Sequence, residues 1–134
     1  MNGKLGVLNE EAINRSDIQA EVRAAVLRYE AALTGNDLAV LDELFWSSPH
    51  TVRYGATERL YGKDEIEQFR KARPSAGLDR SVRRLEITVF GDSFAVANLE
   101  FQRDGEPRIG RQSQTWVRFA EGWRIVSAHV SLSA

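Results

Sequence analysis

The chain contains no cysteine, which excludes a disulfide framework, a thiolate nucleophile and any cysteine-ligated metal. Its two histidines, His50 and His129, are too few for a three-histidine zinc site. Nowhere do about 18 apolar residues run together, so no segment reads as a membrane span. The opening Met1–Asn9 has one lysine and an apolar run too short for a secretory leader. An excess of charge of one sign is missing as well. Eighteen basic residues against 19 acidic ones give a net charge of -1, so the chain lacks the electrostatic footprint of counterion-driven nucleic-acid binding. Neither a Gly-x-Ser-x-Gly elbow nor a glycine-rich nucleotide loop occurs, which disfavours covalent serine catalysis. The expectation is a cytoplasmic protein with no cofactor, no resident metal, and neither nucleic acid nor membrane as partner.

What is present is enough for one domain of 134 residues, 43% apolar and 28% charged, able to bury a core that offsets chain entropy. Residues 1–15 read as an N-terminal extension to it. Among the basic residues 15 are arginine, and only Lys4, Lys63 and Lys71 are lysine. The planar guanidinium fork suits bidentate pairing with carboxylates better than ammonium does.

The first half reads as helix and the second as strand. Ser16 and Gln19 form a capping-box signature. Ile18, Val22, Val26, Tyr29, Ala32 and Leu33 then recur at helical spacing until Gly35. Asp37 is the expected N-cap of a shorter helix carrying Leu38, Leu41, Leu44 and Phe45. Short strands follow at 51–54 and 58–61, then a helix from Gly62 to about Ala72, which Pro74 stops. From Leu78 the period changes to two, with strands expected at 81–90, 94–103, 109–119 and 123–132. This is an α+β pattern: a cone-shaped, strongly curved, mixed or antiparallel sheet wrapped round N-terminal helices. Such a cone leaves its wide end open as a pocket.

Several side chains are candidates for that pocket. Tyr29 lies on the apolar stripe of the first helix, so its ring points towards the sheet. Arg53 lies on the opposite face of its strand from Val52 and Tyr54; facing the cone, it would be a costly unpaired charge without an acidic partner or an anionic ligand. Arg73, four positions after Phe69, could clamp a carboxylate or simply cap its helix. Alternation puts His129 and Ser131 on one face with Trp123 and Ile125, and Gln114 on a face with Gly110, Gln112 and Trp116. These four, Arg73, Gln114, His129 and Ser131, are taken as substrate-binding candidates, while Glu100 and Asn98 read as a solvated face.

In order and spacing, Gly35-Asn36-Asp37, Leu41 to Phe45, Leu60-Tyr61-Gly62, Gly110 to Gln114 and Gly122 to Ser131 resemble the SnoaL-like branch of the nuclear transport factor 2-like superfamily, also described as cystatin-like. Tyr29 to Gly62, with Phe69-Arg70-Lys71-Ala72-Arg73-Pro74, resembles AtzH-type proteins of cyanuric acid catabolism. That resemblance implies a decarboxylating amidohydrolase that converts 1,3-dicarboxyurea or a related carboxylated urea to allophanate. It also implies a catalytic helix tyrosine and strand arginine, matched here by Tyr29 and Arg53. The expected partner is a small anionic substrate, with assembly into a homodimer or dimer of dimers through the open sheet face around Trp116, Val117 and Phe119. Two other readings stay open. One is an isomerase, cyclase or dehydratase on the same cone, using a pocket histidine or carboxylate. The other is a non-catalytic ligand-binding or dimerisation domain.

Overall fold

Four long strands and two short ones make a six-stranded sheet, in which the short strands Arg59–Tyr61 (β2) and Val52–Tyr54 (β1) are followed in order by Gly122–Leu132 (β6), Gly110–Phe119 (β5), Phe94–Arg103 (β4) and Arg80–Phe90 (β3). The computed structural model describes residues 6–134; the leaderless reading of Met1–Asn9 therefore lies partly outside the described residues. Helix α1 is Ser16–Thr34, α2 Leu38–Leu44 and α3 Lys63–Ala72. All pairs are antiparallel except β1 with β6, which runs parallel and sets Arg53 opposite Ala128. The α+β cone expected from the sequence is the fold observed.

The helical stripe of α1 is buried as its spacing requires: Ile18, Val22, Val26, Tyr29 and Leu33 pack with Val89, Ala95, Ala97, Leu99, Trp116 and Ile125 from the inner face of the sheet. Two polar ties hold this packing in register. Trp123 Nε1 donates to Glu21 at 3.0 Å, and Gln19 Nε2 donates to the Ile87 carbonyl at 2.8 Å. The second tie corrects the capping-box expectation. Arg15 occupies the N-cap without a side-chain cap bond, because the glutamine that would complete the box is spent on β3. Asp37 does cap α2, accepting from Val40 N at 3.2 Å. The chain ahead of α1 is stitched to the end of β3, with Asn14 N donating to Val89 O at 2.9 Å and Val89 N donating to Asn14 Oδ1 at 3.0 Å.

Two irregularities shape the sheet. In the β5–β6 ladder Thr115 pairs with Ser127 but Trp116 pairs with Ile125, leaving Val126 without a partner. A second register shift falls between Val82 and Arg84 in β3. Such bulges bend a strand and shift its alternation by one residue. On β6 the buried residues are Trp123 and Ile125 before the bulge, and Ala128 and Val130 after it.

Candidate active site

Tyr29 is 2% exposed and tilts against the Phe45 ring at 6.2 Å between centroids. Around it the fold gathers arginines from four elements: Arg53 on β1, Arg70 on α3, and Arg80 and Arg103 paired with each other at one end of the β3–β4 ladder, with Arg73 just past α3. Helical spacing explains the α3 contribution. Ile66, Phe69, Arg70 and Arg73 fall at i, i+3, i+4 and i+7, one face of the helix. Period two explains Arg103, which shares the inward face of β4 with Leu99 and Phe101.

Three of these cations have carboxylates. Arg80 donates from Nε to Glu30 Oε1 at 3.0 Å and from Nη2 to Gln112 Oε1 at 2.7 Å. Arg53 Nη1 donates to Glu58 Oε1 at 3.1 Å. Arg70 Nη1 stands 3.5 Å from Asp42 Oδ1, close enough for charge attraction but not aligned as a hydrogen bond. Arg73 and Arg103 have no ion-pair partner among the described residues. Buried donors remain without acceptors on all four of Arg53 (Nε), Arg70 (Nη1 and Nη2), Arg73 (Nε and Nη2) and Arg103 (Nε). Buried N–H groups are paired in the great majority of cases, so this concentration of unpaired donors marks a place built for an acceptor that is not part of the chain.

Three of these arginines, Arg53, Arg73 and Arg103, line a cavity of about 280 Å³, and Arg70 lies outside that lining. Arg53, Glu58, Arg73 and Arg103 supply its charge, Phe69, Phe101, Val130 and Leu132 its apolar wall, and Pro74 with residues 76–78 its rim. Two glycines give it room. A Cβ on Gly110 would overlap the Phe101 ring, and a Cβ on Gly55 would overlap the Glu58 carboxylate. Only a residue without a side chain lets Phe101 lie flat across β5, and lets Glu58 fold back over its turn to reach Arg53. The Phe101 ring in turn carries the guanidiniums of Arg80 at 4.1 Å and Arg103 at 5.5 Å, a stacking geometry that orients a weakly hydrated cation.

The charges act on one another. Burial alone pushes the Tyr29 phenol up, but the guanidiniums of Arg70, Arg53 and Arg80 and the Gln112 carboxamide more than offset it, so the phenol is held below its usual range. Burial lowers Arg70, with Arg53 adding to it against the attraction of Tyr29 and Asp42. Burial likewise lowers Arg73, helped by Arg70, Arg53 and Arg103. Arg103 is lowered by burial, then by Arg80 and Arg53, against the attraction of Glu58 and Glu106. The site is therefore a desolvated, mutually repelling positive cluster around a phenol, and an anion would relieve it.

Of the residues singled out from the sequence, Arg53 and Arg73 line the cavity, and Tyr29 stands behind that lining in the field of Arg53. Gln114 is fully buried on the inner face but accepts from Trp116 Nε1 at 3.0 Å and does not line the cavity. His129 and Ser131 belong elsewhere. The unpaired Val126 reverses the alternation of β6, so His129 is exposed on the outer face, its ring edge-on to Tyr54 at 5.6 Å. The patch expected to join two copies changes too: Trp116 is fully buried, while the outer face carries Asn98, Glu100, Arg111, Ser113, Ser127 and His129. Sequence reasoning missed Arg70, Arg103 and Glu58. The first two were readable from the stripe Ile66–Phe69–Arg70–Arg73 and from the pair Phe101–Arg103. Glu58 had no signal, because its role depends on a turn that folds it back.

A curved mixed sheet closed by three helices, with a charged cavity at its open end, places the molecule among the nuclear transport factor 2-like, cystatin-like domains, a class of small-molecule-binding and catalytic folds. Within that class the chain belongs to the AtzH-like family, whose model matches residues 11–134. It is similar to a protein of unknown function from the DUF3225 family of Pectobacterium atrosepticum, at 59% identity over 96% of this chain and 100% of that one, TM-score 0.94. A cystatin-like fold protein from Burkholderia xenovorans matches at 44% identity over 91% of this chain and 96% of that one, TM-score 0.87. A nuclear transport factor 2-like superfamily protein from Salmonella enterica matches at 26% identity over 89% and 93%, TM-score 0.72. No curated protein matches the chain.

Proposed function

We propose that this protein is an enzyme that removes carbon dioxide from a small carboxylated urea, with 1,3-dicarboxyurea giving allophanate. The observation that carries the reading is the set of unpaired guanidinium donors on Arg53, Arg73 and Arg103 around one cavity, with the Tyr29 phenol and Arg70 held behind them. Membership of the AtzH-like family supports it.

An N-carboxyurea is a carbamate. Its C–N bond breaks as the nitrogen gains a proton, and the carboxylate leaves as carbon dioxide: dicarboxyurea dianion and one proton give allophanate monoanion and carbon dioxide. The chain then has three tasks. The arginines bind the carboxylates and exclude competing orientations. Arg53, which both lines the cavity and acidifies Tyr29, couples substrate to proton donor. Tyr29 supplies the proton, directly or through one water, and the guanidiniums that lower its pKa make it a better acid than an isolated phenol. No nucleophile is required.

Purified protein incubated with 1,3-dicarboxyurea should release carbon dioxide and allophanate in equal amounts, and Tyr29→Phe should lower kcat by about 100-fold or more. His129→Ala, on the outer face, should change it less than about threefold. Loss of activity in His129→Ala with full activity in Tyr29→Phe would transfer the chemistry to the rival that uses a histidine.

A further inference from the structure

The carboxylates around the cavity do not cover its cations. Glu30 serves Arg80, Glu58 serves Arg53 and Asp42 stands by Arg70. Arg73 and Arg103 are left over. Both line the cavity, both carry buried donors without acceptors, and each feels the other arginines as like charges. Glu58 and Glu106 attract Arg103, but Glu58 is paired with Arg53 and Glu106 with Arg108, whose Nε donates to it at 3.0 Å. The free site thus holds two guanidiniums that form no ion pair with any of the described residues.

We infer that Arg103, acting with Arg73, is the charge-selecting element of this cavity, which makes tight binding require a ligand with two negative charges. Arg103 is built for the task. Its guanidinium is steered by the Phe101 ring, which itself lies flat because Gly110 has no side chain. A ligand with one carboxylate satisfies Arg73 or Arg103 but leaves the other half-buried and unpaired, the costly half of a charge pair. Deepening the reading above, on which it rests, this gives the site a way to tell substrate from product. Dicarboxyurea carries two carboxylates and allophanate one, so decarboxylation removes the charge that holds the molecule, and the product leaves.

Binding tests this without turnover. Glutarate matches dicarboxyurea in chain length and in its two carboxylates, though it lacks the central carbonyl, and butyrate is glutarate less one carboxylate. Calorimetric titration of the full chain should show glutarate binding at least about 30-fold more tightly than butyrate, the lower end of what an extra buried charge pair contributes. Arg103→Gln should bring that ratio to about threefold or less with butyrate affinity little changed, and Arg103→Lys should restore part of it. Circular dichroism reports whether each variant is folded; if Arg103→Gln is not, Arg73→Gln is the second variant and should lower the same ratio. An undiminished ratio in a folded Arg103→Gln protein, or equal loss of both ligands, would overturn the inference. Absence of turnover with intact discrimination would count against the decarboxylase alone. Where turnover is present, Arg103→Gln should raise KM for dicarboxyurea with kcat largely kept.

Discussion

Gly110 and Phe101 face each other across β5 and β4, and the ring occupies the space where any other residue at 110 would place its Cβ. The pair joins backbone to site, because the same ring forms the cavity wall and supports Arg80 and Arg103. Gly110→Ala must displace the ring. It should destabilise the protein by about 1–3 kcal/mol, the usual range for overpacking a filled position, and weaken glutarate binding in the fraction that stays folded. Chemical denaturation and calorimetry read the two effects. A variant as stable as the parent, with unchanged binding, would mean the ring is free to move.

That pair also shows what a sequence can and cannot carry. The elements were legible from periodicity, since β4 begins and ends where alternation places it and α1 follows its apolar stripe. The inward position of Tyr29 followed from helical spacing, whereas for Arg73 the sequence left a carboxylate clamp and a helix cap both open. Arg53 was harder: a three-residue strand has two faces, and neither parity nor propensity says which one is covered. His129 was misplaced for a definite reason. Period-two reasoning runs unbroken through β6, but one unpaired residue, Val126, slips the register, and every side chain beyond it changes face. The capping box failed similarly, because Gln19 has a better partner on a strand 68 residues away in sequence. What stayed hidden in each case is a long-range contact.

The chain has three tyrosines, and the fold sends two of them in opposite directions. Burial resists ionisation of Tyr29, but Arg70, Arg53, Arg80 and Gln112 outweigh it and lower its pKa. The hydrogen bond between the Tyr54 and Tyr61 hydroxyls, at 3.0 Å, raises Tyr54 together with the like charge of Tyr61. Alkaline spectrophotometric titration should therefore show an early tyrosinate step below the ordinary value near 10, and Tyr29→Phe should remove it. The sign for stability follows from proton counting. Between the lowered folded value and the unfolded one, the native state has lost a proton that the unfolded state keeps, so the contribution of Tyr29 grows as pH rises through that window and is absent below it. A dianionic ligand reverses the shift, since its charge sits where the guanidiniums acted. Adding glutarate should move the early step to higher pH. A titration in which the first step survives Tyr29→Phe would place the acidic phenol elsewhere.

Arg73 offers a test of the trade between stability and binding. Its guanidinium is half-buried, unpaired, and lowered in pKa first by burial and then by Arg70. At neutral pH it is charged in both folded and unfolded states, and the folded state is the less hospitable of the two. Methionine keeps much of the stem that lines the cavity together with Phe69 and Pro74 and removes the charge. Replacing unpaired buried charge with apolar volume is often stabilising. Arg73→Met should therefore melt a few degrees above the parent in the absence of ligand. In saturating glutarate the order should reverse, because a ligand bound only to the native state raises the melting point by mass action and the parent binds it more tightly. Differential scanning calorimetry with and without glutarate checks both halves. A variant less stable than the parent without ligand would mean that Arg73 supports the fold rather than waiting for an anion.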